Sequence, residues 1–325
     1  MMVRMQRRVA LLIGLALVFA LEGCSLLANQ APQASFTVFP PVPLAGREAL
    51  FDSTASSDPD GKLVSFQWAF GDGQRAEGPE AYHAYAQKGP YEVTLTVIDE
   101  RGGRSSITQT VLVGAPIGRV RTHFKVPRLE VAAGLTWDGQ VLWITDEVAG
   151  NLYRVNPQDG RVLSSLRAPG SYPQGLAWDG ESLWVADASE GQLYQLDPQK
   201  GQVERSLAAP GAGMPMGLAW DGEMLWVTDW IDLRIYQVEP QTGQVLNSFR
   251  APGDAPEALA WHEESLWVLD GIYGIFELDP ESGQPLQVWA QLPGDNPRGL
   301  AWAGASLWLA SDDELYQLEL TSDHP

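Results

Sequence analysis

Six side chains in this 325-residue chain stand where a repeated pattern stops repeating: Gln174, Met216, Trp230, Glu257, Tyr273 and Arg298. Gln174, Met216, Glu257 and Arg298 each follow a proline and each precede the same short apolar run; Ala133 holds the fifth such position. The proline fixes the loop while the next side chain varies, which suits a shaped ligand-binding pocket. Glu257 and Arg298 could pair with each other or flank a polar ligand. Glu257 could act as a general base only with a raised pKa. A second set does repeat: Asp146, Asp187, Asp229 and Asp270, with Ser311 then Asp312 in the fifth place. Such a ring could hold a cation or a basic ligand group. It could equally accept hydrogen bonds from neighbouring loop backbone, and a repeated position usually does a repeated structural job.

Other chemistry is excluded early. One cysteine rules out an intramolecular disulfide framework and a Cys-rich zinc site. His83, His123, His262 and His324 are scattered and leave no pair for a metal centre. No serine elbow, glycine-rich phosphate loop or dinucleotide fingerprint occurs. A net charge of −20 excludes charge-driven binding to nucleic acid. No catalytic residue, metal ligand or cofactor is therefore assigned.

The elements that position these residues come from a period of 41–42. Units open at Gly134-Leu135-Thr136-Trp137, Gly175-Leu176-Ala177-Trp178, Gly217-Leu218-Ala219-Trp220, Ala258-Leu259-Ala260-Trp261 and Gly299-Leu300-Ala301-Trp302. A second apolar run follows in each, carrying Trp143, Trp184, Trp226, Trp267 or Trp308, and then a third, such as Leu193-Tyr194. This fits four strands per propeller blade. In the second unit strand A is expected over 175–179, B over 182–187, C over 192–197 and D over 202–208. Ten of the thirteen tryptophans occupy equivalent A and B positions. Such regularity argues for packing between blades rather than a ligand platform.

The last unit ends after strand C, whereas a D-like run, Gly118 to Pro127, lies upstream and aligns with Gly160 to Pro169. The N-terminal run should complete the last blade and remove an open edge. The expected architecture is all-β: a small sandwich over 34–115, then a five-bladed β-propeller over 118–320 closed by an N-terminal outer strand. In a propeller the D–A and B–C loops share one face, and the six unrepeated residues fall there.

Upstream, Tyr91 to Val97 alternates strictly, so Tyr91, Val93, Leu95 and Val97 share one face. The runs Ser57-Asp58-Pro59-Asp60-Gly61, Trp68-Ala69-Phe70-Gly71-Asp72-Gly73 and His83-Ala84-Tyr85 resemble the hallmarks of a PKD domain. That resemblance implies an immunoglobulin-like sandwich used as a spacer or interaction module. Asp58, Asp60 and Asp72 could offer oxygens to Ca²⁺; turn capping by these residues is the competing reading.

Arg4, Arg7 and Arg8 precede an apolar run from Val9 to Leu21, then Leu21-Glu22-Gly23-Cys24. Thirteen apolar residues suit a signal peptide better than a membrane span. The motif resembles a bacterial lipobox, which implies a leader over 1–23, lipidation of Cys24, a tether over 24–33 and a lipid-anchored place in the cell envelope.

The blade pattern resembles secreted YncE-like propellers. It is also similar to the glutaminyl cyclotransferases, through Pro173-Gln174-Gly175-Leu176, and to virginiamycin B lyases, whose His/Glu Mg²⁺ site has no counterpart here. The expectation is a noncatalytic lipoprotein that binds a protein, peptide or glycan through its funnel face. A propeller enzyme of cyclotransferase or lyase type is the alternative, with a purely structural envelope protein behind both.

Overall fold

The computed structural model describes residues 29–320, and every regular element in it is a β-strand. The first seven strands are β1 (Thr37–Phe39), β2 (Glu48–Asp52), β3 (Leu63–Ala69), β4 (Arg75–Glu77), β5 (Glu80–Ala84), β6 (Gly89–Asp99) and β7 (Arg104–Val113). They form a sandwich of two sheets, ordered β1-β2-β5 and β4-β3-β6-β7. Alternation in β6 sends Val93, Leu95 and Val97 into the core with Phe36, Phe51, Trp68 and Phe70. Trp68 is wedged edge-on against Phe36 and Phe51, and its buried Nε1 donates to the Gly78 carbonyl at 2.9 Å.

The repeats form five further sheets, each running outward A-B-C-D. In the first they are Ala132–Trp137, Leu142–Asp146, Asn151–Val155 and Val162–Arg167. The fifth sheet has three strands of its own, and β9 (Arg119–Lys125) is its fourth. This strand pairs antiparallel with Glu314–Glu319, Arg119 opposite Glu319 and Lys125 opposite Glu314. The upstream run thus closes the ring. Between the two domains lies a strand the sequence did not announce. Residues Ala115–Pro116, β8, pair in parallel with Trp289 and Ala290 on the outer edge of the fourth sheet.

The strand-B tryptophans fill the gaps between blades. Trp143 packs with Leu176, Leu183 and Val185 of the second blade, and Trp184 with Leu218, Leu225 and Val227 of the third. The pattern continues round to Trp308, which packs with Leu135, Leu142 and Ile144 of the first. Each indole buries a large apolar area, so this ladder is a major source of stability. The glycine that opens strand A has a separate reason. Around the axis the A strands approach so closely that a Cβ on Gly175 would strike the Met216 carbonyl, and one on Gly134 the Gln174 carbonyl.

The sandwich docks on the fourth blade. Lys88 Nζ donates to Gln287 Oε1 at 2.6 Å and lies 5.0 Å from the Trp289 ring centre. Val42 and Leu112 pack against the apolar cluster that holds Phe276 and Val288.

Candidate functional site at the funnel neck

The repeated aspartates are structural. Asp187 is fully buried and accepts from the Tyr172 N–H at 2.8 Å through one oxygen; the other accepts from the Ser189 and Glu190 N–H groups at 3.0 and 2.8 Å. Asp146, Asp229 and Asp270 repeat this arrangement with Glu130, Met214 and Ala255. In the fifth blade the Ser311 hydroxyl takes the same place, accepting from Asn296 N–H at 3.0 Å. Each carboxylate ties the incoming D–A loop to its own B–C loop. With both oxygens occupied by backbone donors, none faces the funnel as a free ligand.

The varying residues owe their direction to a bulge in every A strand. Pro173 pairs with Asp187 and Leu176 with Val185, so Gln174 and Gly175 together oppose the single Ala186. The same surplus occurs at Met216 and Gly217. In the last two blades the same one-residue surplus falls on Glu257, between Pro256 and Ala258, and on Arg298, between Pro297 and Gly299, because Ala258 and Gly299 are themselves paired with Leu269 and Ala310. A bulge re-aims the side chain it carries. The prolines are therefore the first residues of the A strands and not the ends of loops.

Three of the bulge residues are linked to one acid, Glu147. Arg298 donates to Glu147 Oε2 at 2.8 Å, and Gln174 Nε2 donates to the same oxygen at 3.0 Å. The pair is well shielded, with Glu147 11% and Arg298 24% exposed. Glu257 completes the group electrostatically, as Arg298 and Glu147 both act on it. Burial pushes its carboxyl above the usual range, Glu147 and Asp270 push the same way, and Arg298 opposes them. Its Oε2 is buried without a hydrogen-bond partner. The neck thus contains two carboxylates, one guanidinium and one unsatisfied buried acceptor.

Glu147 was not among the residues singled out by sequence. The signal was present, because it directly follows the repeated Asp146, in the column that holds Trp230 in the third blade. Gly271 holds that column in the fourth blade and makes room for Glu257: a Cβ there would lie 3.3 Å from Glu257 Cγ.

The six unrepeated residues do not form one group. Gln174, Glu257 and Arg298 meet at Glu147. Met216 is buried at the equivalent bulge of the third blade. Trp230 is half-buried on its B–C loop, whose backbone is held by the Trp230 main-chain N–H donating to the Met214 carbonyl at 3.0 Å. Tyr273 turns away from the neck. Its hydroxyl donates to Asp254 Oδ2 at 3.3 Å and its ring lines a cleft between the fourth blade and the sandwich. The three described histidines make their contacts outside the neck: His83 bonds to Asp72 at 2.8 Å, His123 stacks on Tyr316 and His262 on Trp302.

In the sandwich, Asp72 does not join Asp58 and Asp60. It accepts from Gln74 N–H at 3.0 Å and from His83, while Asp60 pairs with Arg101 at 2.8 Å. Among the described residues no group of three or more His, Cys, Asp or Glu side chains could hold a metal ion. Cys24 and His324 lie outside the described residues.

Residues 29–113 match the PKD domain family. Over 91 residues the chain is 37% identical to the microbial collagenase of Vibrio alginolyticus, a match covering 28% of this chain and 11% of that protein. Over 88 residues it is 38% identical to the pre-pro-metalloprotease PrtV of Vibrio cholerae serotype O1, covering 27% and 9%. The chain thus spans about a tenth of these relatives, and the likeness is to their PKD region. The propeller is similar in fold to the crystal structure of Myxococcus xanthus glutaminyl cyclase, with a TM-score of 0.56 and 16% identity over 63% of this chain and 98% of that one. The protein is a PKD domain followed by a β-propeller.

Proposed function

We propose that this protein is a binding module of the cell envelope, and that its propeller takes a ligand at the funnel neck through a hydrogen-bond-donating, cationic group. The observation that carries this is the buried Glu257 oxygen left without a partner. An unsatisfied buried acceptor costs about 1–3 kcal/mol, and a ligand N–H reaching it would recover that cost. Glu147, Arg298 and Gln174 hold the neck rigid, which reduces the ordering cost of binding. The PKD domain, docked on the fourth blade, serves as a spacer. The leader and Cys24 motif support export and lipid anchoring; Cys24→Ser should then move the protein from the membrane fraction to the soluble or uncleaved pool.

Ammonium-bearing and neutral isosteric small molecules, titrated calorimetrically against the protein without its leader, test the reading. Cationic members should bind more tightly, and Glu257→Gln should abolish the preference. Equal affinity for both sets would overturn it.

A second reading has one specific observation behind it. A buried carboxyl with a raised pKa at the neck is what general acid–base catalysis requires, and the propeller shares its fold with a glutaminyl cyclase. Release of ammonia from a peptide with N-terminal glutamine, lost in Glu257→Gln, would establish this activity.

A further inference from the structure

The cleft between the sandwich and the fourth blade has a volume of about 900 Å³ and is separate from the neck. Its sandwich wall has a distinctive composition. Phe36, Thr37 and Val38 line it in succession, as do Gln109, Thr110, Val111 and Leu112. Consecutive side chains of a strand point to opposite faces, so a cleft over a sheet face would touch alternate residues only. Contact with consecutive residues means that the cleft reaches the edges of β1 and β7; it also extends over the outer face of β6–β7, where Pro90 and Glu92 lie opposite Leu112 and Thr110. Both strands are terminal in their sheets: β1 pairs only with β2, and β7 only with β6. The outward N–H and C=O groups of β7 over Gln109 to Leu112 therefore face the cleft without a strand partner among the described residues, and the edge is next bridged at Gly114, by Leu44. Natural proteins generally cover or blunt such an edge. On the fourth blade this has been done at one end, since β8 pairs with Trp289 and Ala290 of the outer strand.

The opposite wall belongs to the fourth blade, where Tyr273, Phe276, Pro252 and Pro285 present apolar surface. Among the described residues the only charged side chains lining the cleft are Glu92 and Asp254. Glu92 accepts from Thr110 Oγ1 at 2.6 Å, and Asp254 pairs with the exposed Arg250 at 3.2 Å. No basic side chain lines the cleft to balance them.

We propose that this cleft binds an extended peptide segment that adds as a strand to the free edge of β7, with its apolar side chains against Tyr273 and Phe276 and a lysine or arginine beside Glu92 or Asp254. Backbone pairing supplies affinity, and the aromatic wall and acidic rim supply selectivity. The site is independent of the funnel neck and stands whether or not the neck binds a cation.

The test uses a fluorescein-labelled, end-blocked octapeptide, Lys-Val-Thr-Val-Lys-Val-Thr-Val, with the protein lacking its leader. Saturable binding should appear in fluorescence anisotropy, with slowed amide exchange over residues 105–112. Methylating the peptide's backbone N–H groups should weaken binding at least about tenfold, a control that needs no folded variant. Tyr273→Ala and the double change Glu92→Gln, Asp254→Asn should each weaken it several-fold, whereas Arg298→Ala, at the neck, should not. Absence of saturable binding, equal binding of the methylated peptide, or loss of binding in Arg298→Ala with none in Tyr273→Ala would each overturn the proposal.

Discussion

The first three blades and the last two solve the same packing problem differently. In blades one to three an aspartate in the A–B turn accepts from the strand-B indole: Asp138 from Trp143, Asp179 from Trp184 and Asp221 from Trp226, at 2.8–2.9 Å. In the last two blades His262 and Ala303 replace that aspartate, and the buried Trp267 Nε1 has no partner. Their A–B strand pairing also runs one rung further into a hairpin of the same length, with His262 opposite Ser265 and Ala303 opposite Ser306. These are also the blades in which the residue after the bulge, Ala258 or Gly299, pairs with strand B. They carry Glu257 and Arg298, receive the sandwich on one outer edge and complete the other with β9. The uniform blades supply the frame; the divergent ones carry the charged bulge residues and the joints to the rest of the chain.

Removal of a strand-B indole should produce the largest effect. Trp184→Ala should cost about 3–5 kcal/mol in denaturant unfolding. A loss below about 1 kcal/mol would refute its role as the plug between blades two and three. Next comes the loop clasp: Asp187→Ala strands several backbone donors and should cost about 3 kcal/mol, against about 1 kcal/mol for Ser311→Ala in the fifth blade. The comparison between blades is sharpened by Trp184→Phe and Trp267→Phe. The first breaks a hydrogen bond to Asp179 and the second breaks none, so the first should cost about 1 kcal/mol more. Equal losses would erase the distinction drawn here.

Glu257→Gln should act in the opposite direction and more weakly. A carboxyl whose pKa is raised on folding binds more protons in the native state, so its contribution falls as pH rises from the unfolded value through the folded one. The variant should therefore melt higher at neutral pH. That gain should vanish below the ordinary glutamate range, where both states are protonated. A gain independent of pH would detach the effect from Glu257 titration.

The architecture was legible because it is written in repetition. A period of 41–42 exposes the tryptophan ladder, the aspartate clasp and the displaced outer strand, each a recurring solution to a recurring contact. The neck was only partly legible for the converse reason. Gln174, Glu257 and Arg298 were identifiable as interruptions, but their common partner Glu147 lies in a loop column read only at Trp230. Tyr273 was placed with them because it shares their face, and its side chain follows Asp254 into the neighbouring cleft instead. Side-chain direction on a loop depends on its local partners, which periodicity does not encode. The two-residue β8 is too short to leave a pattern at all.

The pairing of Arg119 with Glu319 also sets an order of events. Two hundred residues separate the two partners, so β9 leaves the ribosome long before the strand it will join. At roughly 5–20 residues per second the wait is on the order of 10–40 s. Throughout that interval the sandwich can be complete while the disc is an open arc with unsatisfied ends. Closure is then a single late event of high contact order, and the strand Glu314–Glu319 decides whether the two hundred residues before it are protected from proteases.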